Sequence, residues 1–175
     1  MKVTERFGYA PDGSAFSRES IFLPGARLPA DLDRFVLSLD ALYYRWIPRF
    51  TAGLVEIVTP SPREAGGGSG WGAAARVIPF GPIGLLLGPA TLRGTRVERR
   101  ILGGWLVGEE SGVLAQELVP RDGGLEAAVS LEGFRPRFFA IPLGREIYDR
   151  TQEVIHRRLS RAYLRHDVAP RLLHA

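Results

Sequence analysis

The stretch LGREIYDRTQEVIHRRLSRAYLR, from Leu143 to Arg165, decides the fold because its spacing predicts one long amphipathic helix. Its apolar or small side chains recur at i, i+3, i+4 and i+7, which is the pattern of a single buried helical face. The opposite face carries two acid-first i,i+4 ion pairs, and Pro170 lies beyond the predicted end. The predicted buried face consists of Ile147, Thr151, Val154, Ile155, Leu159, Ala162 and Tyr163.

Most of the chain before this helix has the alternation and the turn residues of β-strands. The turn chemistry of Pro11 to Ser14 predicts a hairpin between residues 2–10 and 15–23. Further strands are predicted at 51–59, 71–80, 95–107 and 112–121. The last strand, at 125–131, alternates most cleanly, and its predicted inner residues are Leu125, Ala127, Val129 and Leu131.

Two segments interrupt this run of strands. Leu28 to Ile47 predicts a second helix, with acidic residues in its first turn and Pro48 at its end. Residues 80–94 are apolar but broken by glycines and prolines, which fits either a lid over an apolar interior or a twisted strand with a bulge. The apolar stripe of the second helix is Leu32, Phe35, Val36, Leu39, Leu42, Tyr43 and Trp46.

This order of elements predicts a single α+β domain over residues 1–175. A long C-terminal helix needs a sheet to cover its apolar face, so the expected architecture is a curved antiparallel sheet wrapped around that helix. Such an arrangement leaves space between the sheet and the helix. The alternative is a closed β-barrel with appended helices.

Short motifs in the C-terminal half resemble those of a known group of proteins. They are Gly133-Phe134-Arg135-Pro136, then Gln152, then Arg161-Ala162-Tyr163-Leu164-Arg165. With the order of elements, they resemble the START/polyketide-cyclase-like superfamily (SRPBCC), near an uncharacterised, largely actinobacterial family. The resemblance implies a helix-grip fold that holds a hydrophobic or polyketide-like small molecule. The N-terminal half departs from that pattern, because a hairpin precedes a single long first helix.

Composition excludes several classes of protein. The chain has no cysteine, and we expect no metal site and no cofactor. Its net charge is +4, but only Lys2 is a lysine among 23 basic residues, and 19 acidic residues are interleaved with the arginines. That mixture argues against a nucleic-acid surface. No signal peptide or membrane-spanning run is evident, so a cytoplasmic location is expected. The sequence does not decide whether the protein forms a homodimer.

Signatures of familiar enzymes are missing. The chain has no phosphate-binding loop, no H-E-x-x-H and no G-x-S-x-G. The three histidines are His156, His166 and His174, of which the last two are placed in a C-terminal tail. We interpret His156 as a solvated residue on the polar face of the long helix.

Strand parity gives two candidate catalytic residues for an internal cavity. Arg99 shares its parity with Val97 and Ile101, and Glu117 shares its parity with Val113 and Val119. Both side chains then point inward, unless local twist reverses the parity. In the reversed case Arg100 and Gln116 point inward, and the candidates lie at the surface.

Candidate ligand-lining residues are mostly aromatic, and the same aromatics also fit a plain core. The preferred function is binding of a hydrophobic small molecule between sheet and helix. A cyclase, aromatase or hydratase in the same cavity is the first alternative. An interaction module that uses the basic helix is the second. The candidate lining residues are Tyr43, Trp46, Trp71, Arg76, Trp105 and Phe134.

Overall fold

The computed structural model describes residues 2–50, 55–58, 73–77, 86–103, 107–108, 112–137, 146, 150 and 152–174. Within these ranges the chain forms nine strands, and every pair of hydrogen-bonded strands is antiparallel. The strands are β1 (Val3–Tyr9), β2 (Ala15–Pro24), β3 (Val55–Val58), β4 (Ala73–Val77), β5 (Leu86–Leu87), β6 (Thr91–Arg93), β7 (Arg96–Gly103), β8 (Val113–Arg121) and β9 (Gly124–Phe134).

The sheet is open in the described part of the chain. Its strand order is β1-β2-β9-β8-β7-β5-β4-β3, and β6 pairs with β7 beside this path. The two outermost strands, β1 and β3, do not pair with each other within the described ranges. The α+β class and the antiparallel sheet are therefore confirmed, and the closed barrel is not the fold of this part of the chain. The predicted first hairpin is also confirmed, as β1 and β2.

Two helical segments pack on this sheet. The first is α1 (Leu32–Phe50). The second begins as α2 (Gln152–Tyr163), passes through a π-helical turn (Leu164–Val168) and ends as α3 (Ala169–Leu173). Residues 143–145, 147–149 and 151 of the predicted long helix lie outside the described residues.

The predicted ends of both helices are wrong. Helix α1 continues through Pro48 to Phe50. The C-terminal segment stays helical through Pro170, which lies in the first turn of α3. A proline ring holds φ near the helical value, so each helix continues through its proline with one backbone hydrogen bond fewer. His166 accordingly lies in the π-helical turn rather than in a tail.

We call the face of the sheet that carries the helices the inner face. Helix α1 contacts β7 and β8 near the middle of the sheet and also β3 at its edge. Since β5 and β4 lie between β7 and β3, the sheet must curve around α1. Helix α2 packs against α1 and β2, and the π-helical turn packs against β2 and β9. The predicted packing of the C-terminal helix on an antiparallel sheet is thus confirmed, and α1 lies on the same face beside it.

The register places the core on this inner face. Leu125, Ala127 and Val129 of β9 are buried there, as their alternation predicted. They pair with alternate residues of β2 and β8, so the same face runs across the centre of the sheet. The largest fully buried apolar side chains are Tyr43, Tyr163, Ile21, Leu23, Leu118, Leu125 and Leu164.

The outer face of the sheet carries charges in place of a second layer. Arg18 of β2 binds Glu117 of β8 and, at 3.0 Å, Glu126 of β9. Arg96 of β7 lies 3.1 Å from Glu132 of β9 and 3.7 Å from Glu117. Ion pairs across four strands, all partly exposed to solvent, make this face a hydrated surface.

Candidate functional site

Polar side chains, all buried except the half-buried His156, lie between the inner face and the two helices in two adjoining groups. The first group, which we call the histidine cluster, consists of Ser17, Glu19, Tyr43, His156 and Ser160. The second, which we call the arginine cluster, consists of Asp40, Tyr44 and Arg99. The Tyr43 and Tyr44 rings join the groups, with ring centroids 5.8 Å apart.

Local structure explains why the histidine cluster points inward. Ser17 and Glu19 share the parity of Ile21 and Leu23 on β2, and all four are buried. On α2, His156 and Ser160 are four residues apart and therefore lie on one helical face. Helix α1 brings Tyr43 to that face. Three elements distant in sequence thus converge on one buried place.

Tyr43 and His156 form the centre of the histidine cluster. The Tyr43 hydroxyl lies 3.2 Å from Nδ1 of His156 and 3.3 Å from the Ser160 hydroxyl. The other imidazole nitrogen, Nε2, lies 3.6 Å from Oε2 of Glu19. Burial lowers the pKa of His156 to about 4 and, with the nearby Glu19, raises the pKa of Tyr43. Near neutral pH the imidazole is therefore uncharged and the phenol keeps its proton.

Two polar atoms of this cluster stand out. Ser17 Oγ and His156 Nε2 are buried, and neither has a hydrogen-bond partner among the described residues. More than nine in ten buried polar groups in native proteins are paired, so such atoms call for an explanation. A bound molecule that supplies the missing hydrogen-bond partners is one such explanation.

A row of apolar side chains runs across the inner face beside Ser17. Phe7 of β1 and Leu131 of β9 are its direct cross-strand neighbours, and Leu114 of β8 pairs with Leu131. Ser17 is buried, whereas these three apolar neighbours are only half-buried. We call Phe7, Leu114 and Leu131 the apolar strip. It leaves apolar surface accessible on the inner face.

Charges from β1 and α2 border the histidine cluster. Glu5 lies directly opposite Glu19 in the register, and such like-charged pairs are unfavourable without cations. Arg157 Nη1 lies 3.3 Å from Glu5, and Arg161 also binds Glu5. Two arginines of the basic helix are therefore engaged within the fold, while Arg158 and Arg165 are exposed.

Arg99 is the hub of the arginine cluster. Its Nη2 lies 2.7 Å and its Nε 3.0 Å from Oδ2 of Asp40. Nη1 donates to the Gly88 carbonyl at 3.0 Å, and the guanidinium lies over the Tyr44 ring. Burial disfavours the charge, but the hydrogen bonds and the negative charge of Asp40 outweigh it and raise the pKa of Arg99. The Arg99 side chain is therefore a buried cation that Asp40, Gly88 and Tyr44 hold in place.

The two candidate catalytic residues lie on opposite faces of the sheet. Arg99 points inward, and so does Gln116, whose side-chain oxygen accepts a hydrogen bond from Tyr163 at 2.6 Å. Glu117 and Arg100 point outward, where Glu117 binds Arg18. The pairing of β7 with β8 sets Arg99 against Leu114 and not against Glu117, so the inward parity differs between the strands. The structure does not bring the candidates together, and their catalytic role stays a prediction.

The predicted lining residues are dispersed. Tyr43 belongs to the histidine cluster, and Phe134 is buried opposite Ala15. Trp46 donates its indole N–H to Asp167 and stacks on His166 with ring centroids 6.0 Å apart. Trp71, Trp105 and the side chain of Arg76, which belongs to β4, lie outside the described residues.

The interpretation of His156 as a solvated residue is wrong. Its helix turns this position towards α1 and β2, where the ring meets Tyr43 and Glu19. Sequence reasoning also missed Ser17, Glu19 and Asp40. A signal for Glu19 was present, since it alternates with Ile21 and Leu23 on one strand.

An open groove of about 390 Å³ lies at the start of α1, lined by Pro29, Asp31, Arg34, Phe35, Ser38 and Arg171. In the described ranges, no three His, Asp or Glu side chains converge as metal ligands. None of the helices described there is both long and apolar enough to span a membrane.

Comparisons with known proteins leave the family open. No protein-family model matches the chain, and no curated protein sequence matches it. A crystal structure of Ara h 8.0201 is similar, with a TM-score of 0.44 and 17% sequence identity. The match covers 94% of this chain and 100% of that one. This similarity is too low to assign a family, so the superfamily resemblance stays a prediction.

Proposed function

We propose that the protein binds a hydrophobic small molecule on the inner face of the sheet, against the apolar strip. The observation that carries this proposal is the half-buried strip, in which the buried hydroxyl of Ser17 lies between Phe7 and Leu131 and has no hydrogen-bond partner among the described residues. Ligand sites are mostly apolar with a few well-placed polar groups. The strip supplies apolar contact area, and the histidine cluster supplies the polar groups.

The enzyme alternative has less support. Its candidate pair, Arg99 and Glu117, is divided between the two faces, and each residue has an ion-pair partner of its own. The interaction-module alternative is weakened by Glu5, which engages Arg157 and Arg161. Binding without chemistry is therefore the function that the geometry favours.

Titration with the neutral fluorophore N-phenyl-1-naphthylamine tests the proposal. We expect saturable binding to the wild-type protein, with fluorescence enhanced by the apolar surroundings. Leu131→Asn places an amide in the apolar strip and is expected to weaken binding by about tenfold, since it removes apolar contact area and adds a polar group to desolvate.

Leu102→Asn is the matched control, because Leu102 is an exposed leucine of β7 away from the strip. It should leave the affinity unchanged. Non-saturable binding to the wild type, or an equal loss of affinity in both variants, would contradict the proposed function. Thermal melts of each variant establish that the fold is retained.

A further inference from the structure

Aromatic rings and exposed arginines lie together where α1 ends. The Trp46 ring contacts Phe50, one turn later in α1, with ring centroids 5.7 Å apart. The Arg49 guanidinium lies 5.5 Å from the centre of the Trp46 ring, and the His166 ring stacks on Trp46 from the π-helical turn. Two segments distant in sequence therefore build one surface. We call it the aromatic–arginine patch, and it consists of Arg45, Trp46, Arg49, Phe50, Arg165 and His166.

Most of this patch faces solvent. Phe50 is 36% exposed, and the three arginines and His166 are exposed as well. Arg45 and Arg49 are four residues apart, so they project from one side of α1. Among the described residues, no carboxylate forms an ion pair with Arg45, Arg49 or Arg165. Water is therefore what now solvates these three cations.

The charge of the patch is positive. In the part of the chain that the structure describes, the acidic side chain that contacts it is Asp167, whose carboxylate accepts the Trp46 indole N–H. Arg18 and Arg96 on the outer face of the sheet differ, because each is paired with glutamates. A positive surface with exposed aromatic side chains complements a partner that is anionic outside and apolar beneath.

We propose that the aromatic–arginine patch docks on the surface of a lipid bilayer that contains anionic lipids. The arginines lie at the negatively charged headgroups, while Trp46 and Phe50 reach the boundary between headgroups and acyl chains. This inference goes beyond the proposed function and does not depend on it, because the patch is built on α1 and the π-helical turn and not on the apolar strip.

A single-stranded nucleic acid is a poorer match for the same surface. Its bases bind by stacking on open aromatic faces. The Trp46 ring already has Phe50, His166 and the Arg49 guanidinium against it. The exposed part of Phe50, in contrast, can be buried at a bilayer surface without displacing any of these groups. The bilayer is therefore the partner that the contacts favour.

Co-sedimentation with vesicles tests the docking. We expect the wild-type protein to bind phosphatidylcholine vesicles that contain about one third phosphatidylserine, to bind pure phosphatidylcholine about tenfold more weakly, and to lose affinity as salt is added. Arg45→Gln with Arg49→Gln should weaken binding to the anionic vesicles about 25-fold, which is about fivefold for each arginine. Phe50→Asn should weaken it about fivefold.

The matched controls lie on the outer face of the sheet. Arg6→Gln with Arg100→Gln removes the same charge, because both arginines are exposed there. Leu102→Asn is the control for Phe50→Asn, since Leu102 has a similar exposure of 39%. Both controls should bind the anionic vesicles like the wild type. Equal losses in patch and control variants would overturn the docking.

Two further outcomes would also overturn it. One is equal binding of the wild type to anionic and neutral vesicles. The other is binding to single-stranded DNA that is as strong as binding to the anionic vesicles at the same salt concentration. Leu131→Asn should leave vesicle binding unchanged, so failure of the fluorophore to bind would contradict the proposed function and not the docking.

Discussion

Replacing Arg99 by Met is expected to lower the free energy of unfolding by about 3–5 kcal/mol, because it leaves the Asp40 carboxylate buried without its cation. Asp40 is 5% exposed and Arg99 7%, so water cannot take over the lost contacts. Two nitrogens of the guanidinium bind this carboxylate, and a third binds the Gly88 carbonyl. The cluster joins α1 to β7 and to the chain just after β5.

Urea unfolding of the variant measures this loss. Arg18→Met is the matched control, since Arg18 bridges two carboxylates on the partly exposed outer face and should cost no more than about 1 kcal/mol. Replacing both partners, as in Asp40→Leu with Arg99→Met, is expected to recover much of the stability, because no unpaired charge then remains. Equal losses from Arg99→Met and Arg18→Met would contradict the buried role of this pair.

Acidification is expected to destabilise the protein through His156. Burial lowers the pKa of His156 from 6.5 to about 4 in the folded protein. Between these two values the unfolded chain binds a proton that the folded chain does not bind. Stability from this residue is therefore full above about pH 6.5 and is lost as the pH falls towards 4. Between about pH 7 and 4.5 the loss amounts to about 2 kcal/mol.

Comparison with His156→Gln isolates this contribution, because the other acid-sensitive groups are the same in both proteins. Urea unfolding of the wild type should weaken by about 2 kcal/mol more than that of the variant over this range. Histidine ring signals in NMR spectra give the pKa directly. The Glu19 carboxylate at 3.6 Å favours the charged ring, so a pKa above 6.5 would show that the ion pair outweighs burial and would contradict the expectation.

Periodicity predicted the parts of this fold that depend on burial alone. The alternation in 125–131 and the hairpin turn at 11–14 fixed the faces and pairing of β9, β1 and β2, because a strand slipped by one residue would bury its polar side. The apolar stripe of α1 was equally clear, and Val36, Leu39 and Tyr43 are buried as expected. These are local signals, and the structure confirms them.

The buried polar clusters could not be predicted in the same way. Asp40 and Arg99 are 59 residues apart in the sequence. From the sequence alone each is expected to be a surface charge, and only the packing of α1 on β7 brings them together. His156 stands in a run of polar residues and faces inward only because α2 packs against both α1 and β2. Parity did flag Arg99, but the pairing of β7 with β8, which separates it from Glu117, is a tertiary feature.

The arginine cluster and the histidine cluster have different roles on the inner face. The arginine cluster pairs its charges internally and fastens α1 to the sheet, whereas the histidine cluster keeps Ser17 Oγ and His156 Nε2 without hydrogen bonds in the described chain. Stability and binding are therefore assigned to neighbouring but separate groups. The half-buried apolar strip flanks Ser17 of the histidine cluster and reaches Leu114, which is the cross-strand partner of Arg99, at its other end.

Native mass spectrometry of the freshly purified protein shows whether the inner face holds a hydrophobic small molecule. We expect a mass excess over the polypeptide that disappears under denaturing conditions, or one that appears when 2-naphthol is added and is reduced in Leu131→Asn. A native mass equal to that of the polypeptide, unchanged by 2-naphthol at concentrations far above those of the protein, would contradict it.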